Sequence, residues 1–495
     1  MRAVPERWAW TVLGEICTKP QYGWTTRASH REGSIKLVRT TDITKGRIDW
    51  KTVPFCTEGP VDEEKYLLRS GDIVISRAGS VGASMLLQDP IPRAVFASYL
   101  IRFKTRLGVD PRFVGFFLKT TRYWAVIRGS ASGIALPNVN AKKLAALDLP
   151  LAPLAEQRCI VAKIESLFAK LDEGVAALKR AEVNLERYRA SVLKAAVEGR
   201  LTERWRSENP PEETAEVMLR RIEVPPRPGR YRSRFRGVIP GHAALSVGAT
   251  HSRLPHAWSW APLADVARLE SGHTPSRRRP EWWGGDVPWV GLKDARAHHG
   301  GAIFETLQST NEDGLANSAA RLLPRNTVCL SRTASVGYVV VLARPMATSQ
   351  DFVNWICTEA LEPRWLQIVL LADPAALRRF GKGSTHTTVY FPEVLSLHVA
   401  VPPIAEQRAI VAEVDARLSQ AADQEAIIRD ALKRSSILRQ SILKRAFEGR
   451  LIPQDSADEP ASVLLERIRT EREAERKRSK RRAPKPRRQP KSRVS

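Results

Sequence analysis

A chain of 495 residues is too long for one hydrophobic core, so two or more domains are expected, and its 43% hydrophobic and 27% charged content is ordinary for globular protein. The net charge of +26 and pI near 10.3 point to a polyanionic partner, nucleic acid or an acidic membrane surface. Five scattered cysteines with no C-x-x-C pair, an opening MRAVPERWAW with no apolar leader and no run of 18 apolar residues exclude a disulfide framework, a zinc site and a membrane span; a cytoplasmic chain with reduced thiols is expected.

In chain order, VPERWAWTVLGEI (residues 4–16) comes first and recurs as LPHAWSWAPLADV (residues 254–266), setting Trp8 over Trp258 and Trp10 over Trp260. Self-similarity at an offset of 250 residues marks a tandem repeat. The four indoles read as core or domain-to-helix packing ahead of base stacking, because aromatic side chains are mostly buried area. GSIKLVRTTD (33–42) then stands opposite GDVPWVGLKD (285–294), and GDIVIS (71–76) opposite NTVCLS (326–331). The latter two runs lead into the turns SRAGSVG and SRTASVG. Short β-rich runs among many Gly and Pro predict a mixed α/β domain in each half. The offset drifts between 249 and 255, which puts the insertions in loops over a shared scaffold.

PLAEQRCIVAKIE (153–165) and PIAEQRAIVAEVD (403–415) change the character to long helix. Pro153 and Pro403 stand where a helix begins and Gly199 and Gly449 where one ends. Apolar residues fall at steps of three and four: Ile160, Ile164, Leu167, Leu171, Val175, Leu178, Leu185, Tyr188 and Val192, then Val411, Val414, Leu418, Ala421, Ile428 and Leu432. This is a coiled-coil seam along rods of roughly 65–70 Å, at about 1.5 Å per residue. One such helix would pack on its own domain; two of equal length, each following its own domain, are read as partners.

Between the halves, residues 201–253 hold SENPPEE and PPRPGRYRSRFRG around a short helix at 215–222, read as a solvated linker, with phosphate contact as the alternative. Two motifs are decoys. NPPE at 209–212 has Glu212 where an amino-methyltransferase loop needs an aromatic ring, and GKGST at 381–385 lacks the P-loop's leading glycine and follows Lys382 with Gly383. No H-E-x-x-H, no G-x-S-x-G and no nuclease-type set of acids with lysine occurs, so no catalytic residue and no metal ligand is assigned. The tail beyond Glu471 is expected to be disordered. Eleven Lys or Arg and no acid lie in residues 476–493, leaving about +15 of the +26 on the rest of the chain; added sequence-independent DNA affinity and a solubilising extension are both open. The expected boundaries are 1–152 and 254–402 for the α/β domains, 153–200 and 403–450 for the helices, 201–253 for the linker, and 451–495 for a short helix and the tail.

Two similar but non-identical α/β domains, each followed by a long helix opening with P-x-AEQR-x-IVA and closing with EGRL, resemble the specificity (S) subunit of type I restriction-modification systems. The likeness runs to about Ile468 and takes in GDIVISRAGSVG, GHTPSRRRPEWWGGDVPWV and FEGRLIPQD. It implies an α/β (α+β) tandem fold: two mixed α/β target recognition domains separated by two long helices forming an antiparallel coiled coil, with a pseudo-twofold internal repeat. It also implies a non-catalytic subunit that reads a bipartite, asymmetric double-stranded DNA target and docks two methyltransferase subunits and, through them, restriction subunits. No cofactor or small-molecule substrate belongs to such a chain; S-adenosylmethionine, ATP and magnesium serve the partners. Two other readings stay open: an enzyme with an unfamiliar active site, and a coiled-coil scaffold that binds nucleic acid without sequence preference.

Arg77 and Arg332, in the Gly- and Ser-rich turns, are candidate DNA contacts, because Arg pairs bidentately with guanine or with phosphate; an arginine that fixes the turn is the competing role. Base-reading residues are expected where the halves differ. Arg39, Thr40 and Thr41 face Gly291, Leu292 and Lys293 just before the shared Asp42 and Asp294. The loop 22–31 faces 273–283, with Arg277, Arg278 and Arg279, and residues 130–138 face 382–388, with Lys382, Ser384 and Thr385. The motif residues Glu156, Gln157, Arg158, Glu406, Gln407 and Arg408 either fix the helix starts or form part of a methyltransferase docking surface.

Overall fold

The computed structural model describes residues 4–31, 33–130, 139–226, 239–240, 244–248, 253–380 and 388–482. They form two compact units, Met1–Leu178 with Asp430–Ser495, and Lys179–Arg429.

In the first unit, the strand Asp72–Ser76 is buried along its whole length between antiparallel neighbours Leu100–Lys104 and Ser84–Leu86, and Gln21–Tyr22 completes a four-stranded sheet. Successive side chains of a strand point to opposite faces. Ile73 and Ile75 therefore join Phe103, Phe113 and Phe117 in one core, while Val74 faces Val38, Phe96 and Leu100 in another. A second four-stranded sheet orders Ala28–Ser29, Phe55–Cys56, Lys36–Val38 and Ala94–Phe96, the last pair parallel. Ala9–Val12 pairs with Asp148–Leu151, which brings the N-terminal segment to the foot of the long helix.

The second unit repeats the plan. Val328–Ser331 lies between Val339–Leu342 and Phe352–Cys357 in a five-stranded sheet, with Val328 and Leu330 in one core and Cys329 in the other. Trp283–Val290 runs between Gln308–Thr310 and Ala347–Thr348, parallel to the latter. One difference from the expected boundary appears here. The strand Leu245–Val247, assigned to the linker by sequence, is buried and pairs with Leu397–Val401, so the second domain's sheet begins before residue 254. Three residues are too few to show a period.

The long helices are Leu154–Val197 and Ile404–Phe447, 44 residues each. Gly199 and Gly449 follow with φ of +68° and +66°, the left-handed stop that glycine adopts without strain. In the first unit Ile160, Val161 and Ile164 share a core with Ile442, Leu443, Ala446 and Phe447, and Arg439 pairs with Asp172 further along. In the second, Val192, Ala196 and Val197 share a core with Ile410 and Val414, and Arg189 reaches Glu425 at 2.7 Å. Within each unit the two helices run antiparallel. Leu171, Val175, Leu178 and Leu185 are half-buried.

The tail departs from the sequence expectation. Ala461–Arg482 is one helix of 22 residues, continuing past Glu471 where disorder was expected. Ala461, Leu464, Leu465 and Ile468 are buried in the first unit's core, and Arg469 to Glu15 at 2.6 Å and Arg106 to Glu475 at 2.9 Å hold the next turns. Among the described residues no helix is long and apolar enough to cross a membrane.

Candidate nucleic-acid interface

The strand Asp72–Ser76 ends in a turn that the backbone fixes tightly. Ser76 Oγ donates to the Ala78 carbonyl at 2.8 Å, and the Ser76 carbonyl accepts from the Gly82 N–H at 2.9 Å. Gly82 has φ +84°, and a Cβ there would meet Ile127 Cγ2 at 2.7 Å, so glycine is required twice over. Arg77 then ties three segments together: its N–H donates to the Tyr99 carbonyl at 2.9 Å and its carbonyl accepts from the Val139 N–H at 3.0 Å. Its guanidinium lies 5.1 Å from the centroid of the Tyr22 ring.

The same knot exists in the second unit. The Arg332 N–H donates to the Asp351 carbonyl at 2.7 Å, its carbonyl accepts from the Val389 N–H at 2.9 Å, and its guanidinium lies 4.7 Å from the Phe391 centroid. Ala334, with φ +58°, occupies the place of Gly79, with φ +74°. Both arginines thus fix their turns through the backbone. Both guanidinium groups are oriented by an aromatic face, as cation–π contact favours.

Around these knots the two units present different side chains. In the first, Thr40 sits 3.3 Å from Ser76 Oγ, and Thr41 is exposed. Arg39 is folded back, its Nε and Nη2 each 3.1 Å from the Asp42 carboxylate, while Asp42 also accepts the Arg39 N–H to cap the short helix Thr40–Ile43. In the second unit Asp294 does the capping, accepting the N–H of Gly291 at 2.9 Å and that of Leu307 at 2.8 Å, and Lys293 is exposed. The shared aspartates are helix caps. The residues just before and after the cap are what differ.

A cleft of about 450 Å³ in the second unit is lined by Trp289, Lys293, Asp294, Gln308, Ser349 and Asp351. At its rim the Arg277 guanidinium lies 4.0 Å from the Trp283 centroid and 5.0 Å from that of Trp289, and donates to Gln308 Oε1 at 2.9 Å. Arg278 is exposed on the same loop, its N–H on Ser276 Oγ. Lys382, Ser384, Thr385 and residues 131–138 lie outside the described residues. Among those described, no three His, Cys, Asp or Glu side chains gather as a metal site.

Two residues absent from the sequence reading stand out. Tyr99 and Asp351 occupy the same backbone position, each receiving the knot arginine's N–H on its carbonyl. Tyr99 is 61% exposed. Asp351 offers a carboxylate that accepts from Thr333 Oγ1 at 2.5 Å and Ser349 Oγ at 3.1 Å. An aromatic ring and an anion at one place on one scaffold would contact a base edge differently. The signal in the sequence was weak, a polar or aromatic residue just before an apolar strand.

The AEQR motifs resolve into separate parts. Trp8 Nε1 donates to Glu156 Oε2 at 2.9 Å, and Trp258 Nε1 to Glu406 Oε2 at 2.8 Å. Gln157 accepts the Asp110 N–H and donates to the Ala152 carbonyl; Gln407 accepts the Glu362 N–H and donates to the carbonyls of Ala360 and Pro402. Glu and Gln are buried and lock each helix start to its domain, whereas Arg158 and Arg408 are exposed. Burial raises the Glu156 carboxyl above its ordinary value, and the hydrogen bonds from Trp8 and Gln454 oppose that.

Set beside known proteins, residues 5–179 and 255–430 match the family model described as the type I restriction modification DNA specificity domain. The chain is similar to the type I restriction enzyme EcoKI specificity subunit of Escherichia coli K12, 23% identical with 90% of each chain covered. It is also similar to the MjaIX specificity subunit of Methanocaldococcus jannaschii, 26% identical over 32% of this chain and 37% of that one. A solved chain from work on complex assembly and conformational transition of the type I R-M system superposes with a TM-score of 0.66 at 20% identity, covering 91% of this chain and all of that one. The HsdS subunit of Thermoanaerobacter tengcongensis gives 0.52 at 19% identity, over 91% and 99%. These two likenesses concern the fold.

Proposed function

The chain belongs to the type I restriction-modification DNA specificity family, and on that premise we propose that it reads a bipartite, asymmetric duplex target, one part with each unit. Members of this family supply target recognition and are generally non-catalytic. The observation that carries the finer reading is the pair of knots: identical backbone ties at Arg77 and Arg332 hold unlike side chains, Tyr99 against Asp351 and Thr41 against Lys293. A scaffold held constant while its edge varies suits phosphate positioning by shared groups and base readout by divergent ones.

Arg77 and Arg332 serve in this reading to place the reading edge and to touch phosphate. Arg277 stacks on two indoles beside Gln308 and Asp351, a set that offers a cation, an amide and a carboxylate to a major-groove edge. Exposed Arg158 and Arg408, at equivalent places on the two helix starts, form part of the surface that docks two methyltransferase subunits. Restriction subunits join through these. S-adenosylmethionine, ATP and magnesium act in the partners, and this chain positions the DNA for them.

The test is detection of modified bases across the genome in cells making the cognate methyltransferase subunit with and without this chain. A split, asymmetric motif methylated only when the chain is present supports the proposal. With both proteins made, no dependence on the chain overturns it and favours a scaffold that binds duplexes indifferently.

A further inference from the structure

Most acceptors that line the second unit's cleft are already taken. Lys293 and, at the rim, Arg277 offer only N–H donors. Both carboxylate oxygens of Asp294 are occupied, by the N–H groups of Gly291 and Leu307. Gln308 Oε1 is held by the Arg277 guanidinium at 2.9 Å; the flipped amide would set donor against donor, so the free end of Gln308 is its NH2. Ser349 Oγ donates to Asp351 Oδ2 at 3.1 Å and accepts the Asp351 N–H at 3.3 Å. Asp351 is the exception. Its carboxylate takes one hydroxyl on each oxygen, from Thr333 and from Ser349, and a carboxylate has about four lone-pair sites, so each oxygen keeps one to offer. No cation is among those partners.

Against DNA in general, a carboxylate in this place is unfavourable. Phosphate repels it, and so do thymine O4 and the O6 and N7 of guanine, which are acceptors themselves. Only two groups in the major groove donate, the amino groups at cytosine N4 and adenine N6. At the same backbone position the first unit carries Tyr99, exposed and uncharged, so the charge belongs to one half alone.

We propose that Asp351 is a specificity-determining residue that admits, at one position of the second unit's part of the target, only a base whose exocyclic amino group points into the major groove, cytosine or adenine. The inference rests on the DNA-reading function proposed above and gives it a base class. Asp351 works by exclusion as much as by contact, since thymine or guanine at that position leaves acceptor facing acceptor.

The experiment uses the full chain assembled with its cognate methyltransferase subunit, unsubstituted or carrying Asp351→Ala or Asp351→Asn. Each cytosine, adenine and guanine of the motif methylated in cells is replaced in turn by the analogue with hydrogen in place of the amino group. A scrambled duplex of equal length is the reference. Each analogue is scored by the ratio of its Kd to that of the intact motif, so the lost Watson–Crick bond costs every protein the same and cancels between them. The unsubstituted protein should lose roughly tenfold or more at one cytosine or adenine where Asp351→Ala changes by less than about twofold. Which base shows the effect says whether N4 or N6 is read. On the scrambled duplex Asp351→Ala should bind at least as tightly as the unsubstituted protein, because an anion has been removed from a surface that meets phosphate. In cells Asp351→Asn, which keeps the size and adds a donor, should methylate sites with thymine or guanine at that position, which the unsubstituted protein leaves unmodified. The proposal is overturned if no base has a cost that depends on Asp351, or if the dependence falls on a guanine, whose amino group lies in the minor groove. It is overturned as well if Asp351→Ala weakens motif and scrambled duplex alike, the mark of a structural role, or if Asp351→Asn leaves the methylated motif unchanged. Failure of the underlying reading looks different, since the unsubstituted protein would then show no preference for the motif over the scrambled duplex.

Discussion

Glu406→Ala tests the account of the helix start. The Glu406 carboxylate accepts from Trp258 Nε1 at 2.8 Å, Thr202 Oγ1 at 2.8 Å and Arg206 Nε at 2.9 Å, with its own side chain 3% exposed. Arg206 keeps a bond to the Gly199 carbonyl when the carboxylate is removed. The buried indole N–H and the Thr202 hydroxyl keep no described partner. Each orphaned buried donor costs about 1–3 kcal/mol, so two of them and a weakened arginine together cost roughly 3–6 kcal/mol. Against domain stabilities of about 5–15 kcal/mol, that is a large share of the second unit's stability. The assay is a urea titration of the full chain read by brief proteolysis, with cleavage products assigned to each unit. The second unit should lose protection at clearly lower urea while the first holds, and Arg408→Ala, exposed on the same helix start, should stay within about 0.5 kcal/mol of the unsubstituted chain. A second-unit midpoint unmoved by Glu406→Ala, or an equal fall in both units, would show that the carboxylate does not fix this junction.

Tyr99→Ala should leave stability within about 0.5 kcal/mol, because the ring is largely exposed, yet relax methylation at one base pair in one part of the motif; base-pair sequencing of modified sites would see uniform weakening instead if Tyr99 touches only backbone. Asp72→Asn should destabilise the first unit by roughly 3–5 kcal/mol, since it strips the counter-charge from Arg102, which is 5% exposed and whose pKa burial already lowers. The second unit has Thr327 and Asn354 at those positions and should be untouched in the same proteolysis assay. His299 is held below its ordinary value of 6.5, mainly by burial, and its Nδ1 accepts the Val339 N–H at 3.1 Å. The unfolded chain therefore takes up the proton first, and stability contributed by neutral His299 is present above pH 6.5 and lost as pH falls below it. Unfolding at about pH 7.5 and about pH 5.5 should show a smaller pH-dependent loss in His299→Gln than in the unsubstituted chain, and equal losses would refute the assignment.

The long helices were legible because their signals are local: a proline before, a glycine after, and a three-four apolar step between. Burial of Trp8 and Trp258 was legible as well, but not their partners, since indole and carboxylate are 148 residues apart in each half. That separation also explains why Glu156 and Arg158, neighbours on one turn, could not be assigned different roles from sequence; the helix turns one inward and the other out. The helix beyond Glu471 is not legible because its charged composition resembles that of disordered chains, whereas in the structure it continues a helix seated in the first unit's core by Leu464, Leu465 and Ile468, with Arg106, far away in sequence, pairing with Glu475 beyond them. Tyr99 and Asp351 emerged only when hydrogen bonds to the knot arginines set the two halves in register. The decisive alignment there is spatial.

The repeat has a further property, visible where its segments meet. In the second unit Pro255 packs against Gly199 and the Ala257 carbonyl accepts the Ala215 N–H; in the first, Pro5 packs against Gly449 and the Arg7 carbonyl accepts the Ala461 N–H. The junction after the second long helix closes onto the start of the chain just as the junction after the first closes onto the start of the second half. The fold is cyclic in its connections although the polypeptide is linear, and nothing in these junctions ranks one half before the other. A gene encoding the halves in the reverse order would specify the same set of junctions.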